Sequence, residues 1–198
     1  GSHACGDIGY GRMTDPKMLV EQLTQLNKIS HISGKRILIT AGPTREPIDP
    51  VRFISNYSSG KMGIAIANAC SKMGAIIDLI IGPTKEDVPN KMSTTRVETS
   101  LQMMEAVQEK IIETDIFIST AAISDYTPTN YSKTKYKKIQ DSMNIKFKRG
   151  IDILQKVSVE HPSLFSVGFA AETEKLIDNA KTKLDRKNLD IIVANIGA

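Results

Sequence analysis

Five short, strongly apolar runs, near residues 36–41, 76–81, 115–120, 164–169 and 190–195, alternate with helical patterns near 61–74, 100–112, 151–160 and 173–187. Runs such as Ile76-Ile77-Asp78-Leu79-Ile80-Ile81 and Ile191-Ile192-Val193-Ala194 are nearly continuous, the pattern of strands buried on both faces. The repeat predicts a Rossmann-like α/β fold, a mostly parallel sheet with helices on both faces, in which ligands sit beyond the carboxyl ends of the strands. Gly42-Pro43, Ala121-Ala122, Phe169-Ala170 and Asn195 fall at those ends. A further strand is expected over 94–98, leading into a helix capped by Thr99 or Ser100. Residues 128–149 break the pattern: Pro128, a lysine-rich stretch and a short amphipathic strand at 144–148 predict an irregular, β-rich lid loop.

The first 33 residues stand apart. Gly1-Ser2-His3 reads as a tag remnant, residues 4–15 are glycine-rich, and Pro16 opens a helix over 17–28 with Leu19, Leu23 and Leu26 on one face. A linker over 30–34 follows, and the main domain is placed at 34–198. No apolar run approaches the roughly 20 residues of a bilayer-spanning helix and no signal-peptide pattern is present, so a cytoplasmic protein with no membrane partner is expected. Cys5 and Cys70 do not suggest a disulfide framework. The net charge of +4 suits anionic partners. Lys133, Lys135, Lys137, Lys138, Lys146, Lys148 and Arg149 concentrate it, but Tyr131, Tyr136 and Phe147 lack the repeated stacking pattern of a base-binding surface, so nucleic acid is not expected. His31 and His161 have no metal-ligand spacing, and the metal ligands stay unassigned.

Chemistry concentrates after the first strand. The segment carries neither G-x-G-x-x-G nor G-x-x-x-x-G-K-[ST], because Met62 follows Lys61. Ser58-Ser59-Gly60-Lys61 nonetheless opens a helix whose first backbone N–H groups, with the serine hydroxyls, suit a phosphate; the alternative is a structural turn with Lys61 solvated. Arg45 and Arg52 are either surface residues or planar forks for phosphate or carboxylate. Asn56 is a turn residue or a donor that polarises a carbonyl. Asp125 caps a helix, is solvated, binds ribose hydroxyls or helps hold a cation. Lys135 belongs to a solvated basic loop or to a catalytic one.

Several motifs together resemble bacterial phosphopantothenoylcysteine synthetase. They are Ile39-Thr-Ala-Gly-Pro-Thr-Arg-Glu-Pro-Ile-Asp-Pro-Val-Arg-Phe-Ile-Ser-Asn-Tyr-Ser-Ser-Gly-Lys-Met-Gly63, Ala121-Ala-Ile-Ser-Asp-Tyr126, Lys135-Tyr-Lys-Lys138, Gly168-Phe-Ala-Ala-Glu-Thr173 and Lys187-Asn-Leu-Asp-Ile-Ile-Val-Ala-Asn195. Residues 4–13 are similar to the C-terminal active-site segment of the decarboxylase to which that synthetase is fused in many bacteria. The resemblance implies a decarboxylase tail and linker helix over 4–33, and a synthetase domain over 34–198 that lacks its C-terminal end. It implies CTP-dependent, Mg²⁺-assisted ligation of 4′-phosphopantothenate to cysteine through a phosphopantothenoyl-cytidylate, in a homodimer of this domain.

Residue by residue, it implies that Asn56 handles the acyl-cytidylate and that Lys135 lies on a mobile loop that closes on the reactants. Gly42, Ala121, Asp125, Ile151, Asp152, Ile153, Leu154, Phe169, Lys183 and Lys187 match nucleotide positions. Ser58, Ser59, Gly60 and Lys61 match a triphosphate cradle, and Arg52 and Ala122 join Asn56 in binding the acid substrate. Two other classes stand beside this one: an NADP-binding Rossmann oxidoreductase, which the absent glycine fingerprint disfavours, and a non-catalytic nucleotide-binding or assembly module.

Overall fold

The computed structural model describes residues 30–137, 142–172 and 174–196. The chain divides into two units, Gly1–His31 and Ile32–Ala198. The helix expected over 17–28 lies outside the described residues, as does nearly all of the first unit. The second unit is built on a six-stranded, wholly parallel sheet. Its strands are β1 (Arg36–Ala41), β4 (Ile76–Ile81), β5 (Ser93–Arg96), β6 (Ile116–Ser119), β9 (Phe165–Glu172) and β10 (Ile191–Ile196), in the order β10-β9-β6-β1-β4-β5. The crossovers carry α1 (Lys61–Lys72), α2 (Ser100–Lys110), α3 (Ile153–Glu160) and α4 (Leu176–Arg186). The chain runs from β1 outward through β4 and β5, then returns to β6 on the other side of β1. The order therefore reverses between β1 and β6, and such a switch point opens a crevice at the strand ends.

Alternation along β1 feeds two cores. Leu38 packs with Ile80, Met103, Val107, Phe117, Ile153 and Val157 on one face, whereas Ile37, Ile39 and Ala41 pack with Ile64, Ala67, Leu79 and Ile118 on the other. Each fully buried aliphatic side chain of this kind contributes about 1.5–3 kcal/mol relative to exposure, so β1, buried on both faces, supports both cores. Gly63 lets α1 approach: a Cβ there would lie 2.5 Å from both the Ala41 Cβ and the Thr120 Oγ1.

Element ends shift from the sequence pattern for local reasons. The first helix stops at Lys72 because Gly74 takes a left-handed turn with φ of 89°. Thr99 caps α2 in a reciprocal box with Gln102, whose Oε1 accepts from the Glu98 and Thr99 amides. That turn ends β5 before residue 98. The last part of the expected 100–112 helix tightens into a 3₁₀ turn, Ile111–Glu113. Asp152 caps α3, so this helix starts at Ile153 rather than 151.

Two small antiparallel pairs interrupt the plan: β2 (Arg45–Pro47) with β3 (Phe53–Ser55), and β7 (Tyr126–Pro128) with β8 (Phe147–Arg149). The sequence pattern anticipates β8 only as a strand at 144–148 and misses the other three, since each is three residues long. The Glu46 side chain on β2 is buried and accepts the Ser100 amide at 2.9 Å, tying this hairpin to the start of α2.

Asp78 interrupts the otherwise apolar β4. Its carboxylate is buried between Arg36 Nη1 and Lys110 Nζ, each at 2.9 Å. Burial works against the charge, but hydrogen bonds from Lys110, Ser93 and Arg36 outweigh it and hold the pKa below the ordinary 3.8. A carboxyl depressed in the folded state stabilises the fold fully above its unfolded value and ceases to do so as pH falls through the folded value. Urea midpoints should therefore decline as pH drops below about 3.8. Asp78→Asn should lower the midpoint at neutral pH and flatten the acid slope; an unchanged slope would remove this ion cluster from the acid sensitivity.

Candidate functional site

The loops leaving β1 and β6 lie side by side beyond the sheet. Ala122 N donates to Gly42 O at 2.9 Å, Thr44 N to Ala122 O at 3.3 Å and Ser124 N to Thr44 Oγ1 at 3.1 Å. Gly42 itself has a φ of 74°, and a Cβ on neighbouring Gly60 would sit 3.3 Å from the Gly42 Cα. Gly42 therefore serves backbone packing at the seam.

Above the seam opens a cavity of about 490 Å³. One wall is Asn56, Tyr57, Ser58 and Met62; the floor is Ser119, Thr120, Ala121, Ala122 and Ile123; the far wall is Asp125, Arg149, Gly150, Ile151, Asp152, Ile153, Leu154, Phe169, Lys183, Lys187 and Asn195. A second cavity of about 610 Å³ lies on the other side of Asn56, Tyr57 and Ser58, bordered by Pro43, Arg45, Ser59, Thr84, Lys85, Glu86 and Arg96. Both volumes are ordinary for small-molecule sites. The 56–58 strip is thus a partition with a cavity on each side. Arg45 stacks on Phe53, 4.6 Å from the ring centroid, in the second cavity.

The first cavity brings together Asn56, Ser58, Ala121, Ala122, Asp125, Ile151, Asp152, Ile153, Leu154, Phe169, Lys183 and Lys187. Gly42, Ser59, Gly60, Lys61, Arg52 and Lys135 lie outside its lining. Asn56 Nδ2 donates to Ile123 O at 2.9 Å, so the side chain bridges the partition to the loop after β6. An amide nitrogen carries two hydrogens, and this bond uses one. Asp125 follows that loop rather than capping a helix, and its own carbonyl accepts from Gly150 N at 2.7 Å.

Gly60 begins α1 with a φ of 81°, a conformation that costs glycine little. The first two amides are not open as the sequence pattern predicts: Gly60 N donates to Ser58 Oγ at 3.4 Å and Lys61 N to Ser59 Oγ at 3.3 Å. Both bonds are long and within one turn, so an anion displaces them at small cost. The first bond inside the helix is made by Ile64 to Gly60 O, which leaves the Met62 and Gly63 amides ahead of it at the dipole's positive end. Lys61 is exposed and pairs with Glu86 at 3.7 Å.

Asp152 and Lys187, which the resemblance gives only as separate nucleotide positions, form an ion pair. Lys187 Nζ lies 2.8 and 2.7 Å from the two carboxylate oxygens, with its side chain only 8% exposed. Burial raises the Asp152 pKa, but Lys187 and the Gln155 amide more than offset it, leaving the carboxyl below the ordinary range. The pair fixes the start of α3 against the end of α4, across the cavity's far wall.

Arg52 is not part of this cavity's lining and contacts the lysine-rich loop instead. Its Nη2 donates to Tyr136 O at 3.0 Å, Nη1 approaches Met143 Sδ at 3.7 Å, and Nη1 lies 3.5 Å from Asp49 Oδ2. Asp49 is a residue that sequence reasoning missed, although Asp49-Pro50-Val51-Arg52 carries the signature of a side-chain turn. Lys135 is exposed beside it.

Among the described residues no group of three metal-ligating side chains exists. Asp125 is the exposed carboxylate on the cavity wall. One carboxylate with phosphate oxygens and water is a fitting set for Mg²⁺, which keeps much of its hydration, and unsuited to a caged metal.

Fold and site define a Rossmann-like α/β protein with its cavity at the sheet's switch point. The chain belongs to the DNA/pantothenate metabolism flavoprotein C-terminal domain family, which matches residues 32–198. It is 45% identical to the coenzyme A biosynthesis bifunctional protein CoaBC of Haemophilus influenzae, over 98% of this chain and 49% of that protein. It is 44% identical to CoaBC of Escherichia coli strain K12, again over 98% of this chain and 49% of the relative. It thus spans about half the length of the curated relatives it matches. The crystal structure of the C-terminal domain of CoaBC superposes with a TM-score of 0.74 at 43% identity, covering 83% of this chain and 78% of that one. A Cab2 mutant in complex with phosphopantothenate-cysteine shares the fold, with a TM-score of 0.67 at 16% identity over 91% of this chain and 77% of that one.

Lys187→Met leaves Asp152 without its cation. Because Asp152 is 33% exposed, the loss should be about 1–3 kcal/mol rather than the ~3–5 of a fully buried pair. Urea denaturation measures it. An unchanged midpoint would show that the pair does not hold α3 against α4.

Proposed function

We propose that this chain ligates 4′-phosphopantothenate to cysteine at the expense of CTP, through a phosphopantothenoyl-cytidylate, as the ligase part of a coenzyme A biosynthesis protein. The observation that carries the proposal is the 56–58 partition: it holds Asn56 against a nucleotide-sized cavity whose far wall carries Arg149 and Lys183 beside the Asp152–Lys187 pair. The relatives' names support the same pathway. The substrate carboxylate attacks the α-phosphorus of CTP, forming the acyl-cytidylate and releasing pyrophosphate. The cysteine amine then attacks the acyl carbon and CMP leaves with its bonding electrons.

In this proposal the nucleotide lies along Ala121, Ile151, Asp152, Ile153, Leu154 and Phe169, with Lys183 supplying positive charge, Lys187 holding Asp152 in place and Asp125 facing the ribose or the metal. The triphosphate runs over Ser58 towards Ser59, Gly60 and Lys61 at the start of α1, where amides and dipole favour an anion. Gly42 supports that cradle from below. Asn56 and Ala122 face the acid substrate, and Arg52 joins them through the loop that it holds. Mg²⁺, carried mainly on the phosphates, would neutralise the oxygens around the leaving pyrophosphate. Positioning and charge do most of the work in such transfers. Lys135 stabilises the first transition state, its exposed side chain reaching the reactants from the loop that Arg52 holds.

Exposed Val51 in the turn between β2 and β3, with exposed Phe53, Tyr126 and Phe147 on the two small sheets, supports pairing of two copies through these elements. The similarity of residues 4–13 to a decarboxylase segment supports a fused decarboxylase domain in a longer parent protein. No described helix is long and apolar enough to cross a membrane. The substrates are free metabolites, and we assign the reaction to the cytoplasm.

Mixing the protein with phosphopantothenate, Mg²⁺ and CTP should release pyrophosphate without cysteine, and adding cysteine should yield the amide, identified by mass. ATP or NADPH binding in place of CTP would overturn the nucleotide assignment. Asn56→Asp should keep pyrophosphate release while slowing cysteine transfer by about 10²–10³-fold, because a carboxylate cannot donate to a developing oxyanion. Equal loss in both half-reactions would refute that role.

A further inference from the structure

Asp49 sits in the turn between β2 and β3, only 2% exposed, and none of the roles above uses it. Its Oδ1 accepts the Val51 and Arg52 amides, each at 2.8 Å, which closes the hairpin turn on itself. Its Oδ2 accepts a third amide, that of Tyr136, at 3.2 Å from a residue 87 positions away. That N–H belongs to the peptide joining Lys135 to Tyr136. The next peptide is held as well, because Tyr136 O accepts from Arg52 Nη2 at 3.0 Å. Upstream, Ser132 N donates to Ile48 O at 3.0 Å. The loop bearing Lys135 is therefore fastened on both sides of that lysine to one hairpin turn, while its side chain stays exposed.

We propose that Asp49 is a positioning residue for the first half-reaction: with Arg52 it clamps the two peptides that follow Lys135, and so sets where the lysine ammonium stands. This rests on the role proposed for Lys135. A carboxylate suits the post because all three backbone partners are donors, and both oxygens of the ionised group accept. Its charge strengthens each bond and pairs with Arg52, so turn and loop are fixed together.

Asp49→Asn separates the two jobs. The amide oxygen still accepts the Val51 and Arg52 amides, whereas the NH₂ group meets the Tyr136 N–H donor to donor. In hydrogen–deuterium exchange the 48–53 segment should stay protected while residues 132–137 exchange about tenfold faster. Pyrophosphate release should fall about tenfold with the KM for CTP nearly unchanged, since one positioning bond is lost. The double variant with Lys135→Gln should be no slower than Lys135→Gln alone, as expected for a group acting through that lysine.

Unchanged exchange in the loop, or losses that multiply in the double variant, would overturn the proposal. A Lys135→Gln protein with wild-type pyrophosphate release would instead refute the role of the lysine, and the exchange data would still judge the clamp. If Asp49→Asn lowers the melting temperature markedly, Arg52→Lys takes its place. It keeps a cation beside Asp49 but lacks the second nitrogen for Tyr136 O, and should give the same faster loop exchange; normal exchange there would also overturn the clamp.

Discussion

The parallel seam between β1 and β6 joins residues 80 positions apart, as in the bond from Thr120 Oγ1 to Thr40 O at 2.7 Å. Everything at the site hangs from this seam. It continues past the strands through Gly42, Thr44, Ala122 and Ser124, so the two loops leave the sheet as a single paired edge. The start of α1 rests on that edge because Gly60 and Gly63 carry no side chain to hold it off. Without that close approach the helix dipole would point past the cavity rather than along its rim.

Three aspartates lock the pieces that the apolar core leaves loose. Asp78 fastens β4 to Arg36 of β1 and Lys110 of α2, Asp152 fastens α3 to Lys187, and Asp49 fastens a hairpin turn to a distant loop. Each carboxyl has its pKa held below the ordinary value despite the opposing effect of burial: side-chain donors and cations surround Asp78, and backbone amides with a cation surround Asp49 and Asp152. Such groups specify geometry where side-chain packing cannot, since a hydrogen bond fixes direction and apolar contact does not.

The sheet and its helices were legible because their signals are local and repeated: an apolar run buried on two faces cannot be confused with an amphipathic helix over such lengths. The small sheets were not. Arg45–Pro47 contains charge and proline, Tyr126–Pro128 contains proline, and both are strands only through their partners, Phe53–Ser55 and Phe147–Arg149. The site was legible in part. The loops at the strand ends follow from topology, and the 39–63 motif marked the partition. The capture of Gly60 and Lys61 amides by Ser58 and Ser59, the pairing of Lys61 with Glu86, and the turn of Arg52 towards Tyr136 all depend on side-chain directions that spacing does not encode.

The sequence by itself determined a parallel, two-face-covered sheet, the strand ends that line the cavity and the glycines that bring a helix start to them, because burial periodicity and backbone permissiveness are properties of neighbouring residues. The strand order, the two cavities on either side of Asn56, the Asp152–Lys187 pair and the clamp on the loop after Lys135 were decided only by the tertiary structure. Each joins residues far apart in the chain, and a distance of about 3 Å between such groups exists only once the core has placed them.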